Sequence, residues 1–195
     1  MKTTVAVIYG GRSGEHEISI RSAKSIMAAL DRDRYDVMEY FIDQTGKWAP
    51  EPILPEPGAQ PEIDVVFPVL HGTFGEDGTV QGLLELADLP YVGAAVLASS
   101  VSMDKEMMKR ISIERGLPVV EYVALARHEL DPAAVSKRFS FPVFVKPANL
   151  GSSVGISKVH TAAELEPAML LAATVLTDFV LKEGFMTRSS WEHCK

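Results

Sequence analysis

The segment Gly10–Ser19 (GGRSGEHEIS) carries charged residues where a short apolar run meets an amphipathic stretch. A glycine-rich turn between a strand and a helix lets backbone N–H groups approach an anion at the helix N-terminus. The segment matches neither the G-x-G-x-x-G pattern nor the Walker P-loop. Glu15, His16 and Glu17 follow the carboxyl end of the predicted strand, where open α/β sheets bind ligands. One of the two carboxylates could hold an ammonium group. The alternative is a solvated first helical turn, in which acids suit the helix dipole.

A second glycine-rich segment, Leu70–Gly78 (LHGTFGEDG), also follows an apolar run. His71 in this segment can bind a carboxylate or transfer a proton near neutral pH. A histidine that only hydrogen-bonds the backbone of its own loop explains the pattern equally well. The residues leave both interpretations open.

The segment Asn149–Gly155 (NLGSSVG) supplies glycines and serines between two predicted strands. Such a loop offers N–H and hydroxyl donors to a phosphate, and Lys146 at the end of the preceding strand adds a positive charge. The same residues suit an ordinary β-hairpin turn.

The segment Ser102–Arg110 (SMDKEMMKR) predicts part of a helix. Its lysines, Lys105 and Lys109, are expected on a solvated face, and its methionines are expected in the core. By itself this pattern indicates no functional site.

Apolar runs alternate with helical patterns along the chain, which favours a parallel α/β sheet. Ser102 is expected to cap one helix, and Pro167 is expected to kink another. The strands are expected at 5–9, 37–42, 64–70, 91–92, 118–124, 141–146, 156–159 and 179–182. The helices are expected at 18–30, 79–87, 102–115, 131–139 and from 161 onward.

The composition excludes several classes of protein. The 195 residues include 19 Lys and Arg against 26 Asp and Glu, a formal net charge of −7, which argues against nucleic-acid and anionic-membrane partners. The single cysteine, Cys194, excludes a disulfide framework and a zinc ribbon and suits a reducing cytoplasm. The first residues read as a strand rather than a signal peptide.

These segments together closely resemble the bacterial D-alanine–D-alanine ligases of the ATP-grasp superfamily. The matching stretches are GGRSGEHEIS, FPVLHGTFGEDGTVQGLLEL, LPYVGAAVLASSVSMDK and FPVFVKPANLGSSVGISKV. The resemblance implies a Rossmann-like N-terminal domain over residues 1–100 and the first α+β lobe of an ATP-grasp fold over 101–186. It implies ATP and Mg²⁺ as cofactors and D-alanine as substrate. It also implies a homodimer formed through the N-terminal domain.

The resemblance also implies a reaction and roles for individual residues. The carboxylate of one D-alanine attacks the γ-phosphate of ATP, and the amine of a second D-alanine then displaces phosphate from the acylphosphate for peptidoglycan synthesis. Glu15 resembles the anchor for the first D-alanine ammonium, Ser152 the hydroxyl linked to it, and His71 the histidine beside that substrate. The remaining counterparts, which would contact ATP, are Lys105, Lys146, Ser152, Ser153 and Glu183.

The resemblance ends after VLKEGF, where the family continues into a second lobe with the magnesium ligands. Residues 187–195 match no part of that pattern, which predicts an aberrant, frame-shifted or truncated tail. On this interpretation the chain alone has little ligase activity.

Several alternatives remain open at this point. One is a ligase that uses D-lactate or D-serine as its second substrate. Another is a non-catalytic module or remnant that binds a nucleotide or D-alanine. A third is a non-functional pseudogene product with exposed apolar surface.

Overall fold

The computed structural model describes residues 1–149, 155–175 and 178–183. The chain divides into two compact units, Met1–Met103 and Asp104–Lys195. In the described residues, no helix is long and apolar enough to cross a membrane.

The first unit is a four-stranded sheet covered by helices. In chain order its elements are β1 (Thr3–Gly10), α1 (His16–Ala29), β2 (Tyr35–Ile42), β3 (Trp48–Ala49), β4 (Val65–Pro68), α2 (Thr79–Leu86) and α3 (Val96–Met103). Its strands lie in the order β3-β2-β1-β4, with β1 parallel to both neighbours and β3 antiparallel at the edge.

The alternation of side chains along β1 explains why α1 and α2 lie on opposite faces of this sheet. Successive side chains of a strand point to opposite faces. Val5 and Val7 share one apolar cluster with Ala23 of α1, whereas Ala6 and Ile8 belong to a second cluster with Val80 and Leu84 of α2. A central parallel strand buried on both faces therefore reads as a continuous apolar run.

The second unit contains a four-stranded antiparallel sheet with helices. In chain order its elements are α4 (Lys105–Glu114), β5 (Tyr122–Ala126), a short 3-10 helix (Arg127–Glu129), α5 (Pro132–Arg138), β6 (Val143–Pro147), β7 (Ser157–Val159), α6 (Ala162–Val175) and β8 (Asp178–Glu183). The strands lie in the order β5-β8-β6-β7. The core includes Leu165 and Met169 of α6, which packs against β6, β7 and β8.

The prediction of one helix over 102–115 capped by Ser102 is wrong. Ser102 lies inside α3, and α4 begins after Asp104, whose carboxylate accepts hydrogen bonds from the N–H groups of Glu106 and Met107 at 3.0 Å. Asp104 is extended, with ψ of 102°, and this breaks the helical path. An aspartate that competes for the backbone N–H groups favours a new N-terminus over a continuous helix.

Two other expectations also need correction. Residues 91–92 form an isolated bridge from Tyr91 to Val66 rather than a strand. Met107 and Met108 are not core residues, since they are 48% and 37% exposed. By contrast, Asp131 caps α5 as expected, because its carboxylate accepts the Ala134 N–H at 2.9 Å.

Candidate functional site

The glycine turn after β1 is held by one buried hydroxyl. The backbone of Gly10 and Gly11 has φ near +90° (91° and 92°), a region that favours glycine. The Gly10 N–H donates to Ser19 Oγ at 2.8 Å, and that hydroxyl donates to the Val69 carbonyl at 2.6 Å. Ser19 therefore joins the turn, α1 and the end of β4.

Glu15 lies where this turn meets the loop after β4. Because β1 and β4 are adjacent and parallel, the segments that follow them leave the same edge of the sheet. Ser13 bridges the two segments: its hydroxyl donates to the His71 carbonyl at 2.6 Å and accepts the Glu15 N–H at 3.2 Å. Gly72 has φ of 70°, and a Cβ placed on it would lie 2.6 Å from Glu15 Oε2. The Glu15 carboxylate thus packs directly over position 72, where only glycine fits.

The ring of His71 is placed between two polar side chains. Its Nε2 lies 3.1 Å from Ser22 Oγ on α1, and its Nδ1 lies 3.8 Å from Glu76 Oε1. The other oxygen of Glu76 accepts the Gly72 N–H at 2.7 Å. The hydrogen bond with Ser22 orients the ring, and a histidine in this position suits substrate binding or proton transfer.

The loop that carries His71 is braced by a second carboxylate. Asp77 accepts hydrogen bonds from the Phe74 N–H at 2.8 Å and the Thr79 N–H at 3.0 Å. Burial alone would raise the pKa of Asp77, but these hydrogen bonds outweigh it and hold the pKa below its ordinary value. Asp77 is therefore an ionised structural residue of this loop.

Sequence reasoning missed Ser13, Ser19, Ser22 and Glu76. A partial signal was present, because Ser19 and Ser22 are three residues apart in a helix and so share a face. Nothing in the local sequence says which loop that face meets.

In the second unit, Lys105 and Lys146 form a cationic pair. Lys105 is anchored twice to the Ala148 carbonyl, by its backbone N–H at 3.0 Å and by Nζ at 3.3 Å. Burial and the nearby charge of Lys146 lower the pKa of Lys105, and Asp104 partly opposes that shift. The expectation of a solvated Lys105 is therefore wrong, and so is that for Lys109, which is half-buried with its Nζ 4.8 Å from the centre of the Tyr122 ring.

This pair fits a phosphate group better than it fits a metal ion. Two neighbouring ammonium groups that disfavour each other's charge are stabilised by an anion between them. Among the described residues no group of three His, Cys, Asp or Glu side chains is placed to hold a metal ion. The donors present thus suit an anionic phosphate group.

The structure brings some of the predicted site residues together within each unit. In the first unit Ser13 joins Glu15 to the backbone of His71, and in the second the charge of Lys146 is near enough to Lys105 to lower its pKa. Ser152 and Ser153 lie outside the described residues, as do residues 187–195, and Glu183 ends β8 with its side chain outside the described part. The roles of all these residues remain predictions.

Comparison with known proteins gave one consistent family. The family model for the D-ala D-ala ligase N-terminus matches residues 4–57 and 52–94, and the model for the D-ala D-ala ligase C-terminus matches residues 111–190. A D-alanine–D-alanine ligase from Solibacter usitatus is 65% identical over 188 residues, which are 96% of this chain and 58% of that protein.

Solved structures agree with these matches. The D-alanine-D-alanine ligase from Coxiella burnetii superposes with a TM-score of 0.83 at 35% identity, covering 93% of this chain and 61% of that one. VanG D-Ala:D-Ser ligase from Enterococcus faecalis gives a TM-score of 0.84 at 30% identity, covering 95% and 64%. The chain therefore spans less than two thirds of the length of each of these relatives.

Proposed function

The chain belongs to the D-alanine–D-alanine ligase family, and on that premise we propose that it serves the ATP-dependent joining of two D-alanine molecules. In this reaction a carboxylate oxygen of the first D-alanine attacks the γ-phosphorus and ADP leaves. The amine of the second D-alanine then attacks the acyl carbon, and phosphate leaves. We assign residues 1–100 to the family's N-terminal domain and 101–186 to the first ATP-grasp lobe.

The observation that carries the proposal is the position of the Glu15 carboxylate over Gly72, beside His71. Glu15 is half-buried, and among the described residues it forms no ion pair. A fixed carboxylate of this kind is suited to an ammonium group, through charge-assisted hydrogen bonds. We therefore propose that Glu15 binds the ammonium of the first D-alanine and that His71 lies against the same substrate.

The lysine pair supports the nucleotide half of the proposal. We propose that Lys105 and Lys146 bind phosphate oxygens of ATP, with Ser152, Ser153 and Glu183 as further contacts. Positive charges placed beforehand stabilise the charge on a transferring phosphoryl group without reorganising during the reaction. Mg²⁺, which the family requires, would add further neutralisation when bound.

A pair of variants tests the amino-acid site. Calorimetric titration with D-alanine is expected to show binding to the unaltered chain and at least about tenfold weaker binding to Glu15→Gln, because a hydrogen bond to a charged group is lost. Glu17→Gln is the matched control, since Glu17 is exposed in the first turn of α1. Equal affinity in Glu15→Gln and the unaltered chain contradicts the assignment.

A second set of variants tests the nucleotide site. ATP is expected to bind more weakly to Lys105→Gln and to Lys146→Gln, whereas Lys137→Gln, which removes an exposed lysine of α5, is expected to retain the affinity. Loss of ATP binding in the control alone, or in none of the three variants, counts against the proposal.

Turnover separates the ligase from a binding module. Phosphate release that requires both ATP and D-alanine supports the ligase reaction and contradicts the expectation that this chain alone has little activity. D-Alanine binding without turnover agrees with that expectation and favours the binding module over an active ligase. The resemblance to a D-Ala:D-Ser ligase makes D-serine the second acceptor to include in this assay.

The remaining assignments concern the setting of the protein. We propose a cytoplasmic protein that forms a homodimer through its N-terminal domain. Sedimentation velocity at several concentrations tests the dimer, and a monomer throughout contradicts it.

A further inference from the structure

A cavity of about 380 Å³ opens in the first unit between the glycine turn, the β2–β3 hairpin and α2. Its floor includes Leu70, Val80 and Leu83, which belong to or pack against the apolar cluster between the sheet and α2. Trp48 forms another part of the wall. A cleft of this size, mostly apolar with a few polar groups, has the character of a small-molecule site.

This cavity is distinct from the Glu15 site. Neither Glu15 nor Ser22 nor Glu76 lines it, and Ser22, which contacts His71, belongs to α1 on the opposite face of the sheet. The two places share only the glycine turn and His71. The proposed function therefore leaves this cavity unexplained.

The charge around the cavity has one sign. No described carboxylate lines it, whereas Arg12 does, with its guanidinium carbon 4.3 Å from the centre of the Phe74 ring. Arg12 forms no ion pair with any described residue. The acids of the adjoining loops are engaged locally, since Asp43 accepts the Thr45 N–H at 2.8 Å and Asp77 accepts the Phe74 N–H at 2.8 Å.

The position of Arg12 is also prepared by the fold. Gly46 has φ of 92°, and a Cβ placed on it would lie 2.8 Å from Arg12 Cδ. The stem of the arginine thus lies along the hairpin while its head stacks on Phe74, so less side-chain freedom is lost when it binds a ligand. A planar guanidinium held in this way matches a carboxylate with paired hydrogen bonds.

We propose that this cavity binds a small carboxylic acid with an aromatic body. The ring lies among Trp48, Leu70 and Leu83, and the carboxylate meets the guanidinium of Arg12 at the mouth. This proposal goes beyond the proposed ligase function, because its apolar floor and Arg12 are groups that the ligase reaction does not use, although His71 lines both places.

The experiment uses the full chain labelled with ¹⁵N and two probes, 3-phenylpropionate and its uncharged amide. Saturable shifts of amide signals from 10–12, 45–48 and 70–83 are expected with 3-phenylpropionate. Arg12→Gln is expected to weaken the binding of 3-phenylpropionate at least about threefold, as for a partly exposed charged pair. The same variant is expected to bind the uncharged amide probe as tightly as the unaltered chain does. Arg21→Gln, an exposed arginine of α1, is the matched control.

A cavity-filling variant, Leu83→Trp, tests the apolar part of the cavity and is expected to weaken the binding of both probes. Arg12→Gln changes an exposed residue, so it keeps the test decisive if Leu83→Trp does not fold. The proposal is overturned if 3-phenylpropionate gives no saturable shifts or binds Arg12→Gln and Arg21→Gln equally. It is also overturned if the same signals shift with protein concentration alone, because a second copy then occupies the cavity. Titration of Arg12→Gln with D-alanine measures whether the amino-acid site is intact, so a failure of the cavity proposal is distinguished from a failure of the ligase proposal.

Discussion

Ser19 shows how one side chain can position a loop without touching a ligand. Its hydroxyl accepts the N–H of Gly10 and donates to the carbonyl of Val69, and the residue is fully buried. Each of these backbone groups would otherwise be buried without a partner, which costs more than an ordinary hydrogen bond contributes. Ser19 therefore links the turn that carries Glu15 to the end of the strand that precedes the His71 loop.

We expect Ser19→Ala to lower the free energy of unfolding by about 1–3 kcal/mol, because two buried backbone groups lose their partner. Urea unfolding measures this difference. The control is Ser25→Ala, whose hydroxyl bonds only to the Arg21 carbonyl on the exposed side of the same helix. If both variants lose the same stability, the bridging role of Ser19 is wrong.

The pKa of Lys105 gives a second prediction at the residue scale. Burial and the charge of Lys146 hold it below the ordinary value of 10.5, so protonated Lys105 destabilises the folded state. The destabilisation is complete at pH values below the pKa of Lys105 in the folded state. It disappears as the pH rises from that pKa to the pKa of the lysine in the unfolded chain, so the free energy of unfolding rises with pH across this window.

We expect Lys146→Gln to raise the pKa of Lys105 towards its ordinary value and to flatten this rise in stability. A ¹³C titration of the Lys105 ε-carbon measures the first effect, and urea unfolding across the same pH range measures the second. Lys137→Gln should change neither. An unchanged Lys105 pKa in Lys146→Gln would show that burial alone causes the shift.

At the element scale, α4 depends on its N-terminus more than on packing. No residue of this fully described helix is buried, and Ile113 is 55% exposed. Helices that bury little apolar surface gain little from tertiary contacts. The Asp104 carboxylate, which accepts two N–H groups of the first turn, is therefore a main determinant of where α4 begins.

We expect Asp104→Ala to destabilise the chain by about 0.5–2 kcal/mol and to speed hydrogen exchange at Glu106 and Met107. Asp104→Asn keeps an acceptor oxygen and should retain most of the protection. Protection in Asp104→Ala equal to that of the unaltered chain would contradict this account of α4.

At the scale of the whole molecule, the two units have separate cores. Leu84 lies in a cluster of the first unit and Leu165 in the cluster of the second, and both side chains are fully buried. These clusters share no residue. Substitutions without shared partners usually act independently.

We expect Leu84→Ala and Leu165→Ala each to cost about 2–5 kcal/mol, through lost burial and the cavity left behind. In the double variant the costs should add to within about 0.5 kcal/mol. Hydrogen exchange of each single variant measures whether the loss of protection stays within its own unit. A larger coupling energy would mean that the cores are not independent.

The sequence alone determined most of the secondary structure, because these patterns are local. The apolar run at residues 5–9 predicted a strand buried on both faces, and Asp131 before Pro132 predicted a helix start. The helix predicted over 102–115 failed because Asp104 suits a helix interior poorly and an N-terminus well, a competition that periodicity does not weigh.

The residue order by itself pointed to the segments that carry Glu15, His71 and Lys146, since glycine-rich turns and charges at strand ends are visible in it. Lys105 became a candidate only through the resemblance to the ligase family. Only the tertiary structure decided that Glu15 packs over Gly72, that Ser22 meets His71 and that Lys105 is half-buried. These contacts join residues far apart in the chain, and they depend on strand order: β4 pairs with β1 rather than with β3. No local pattern carries that order, because it results from how whole elements cover each other's apolar faces.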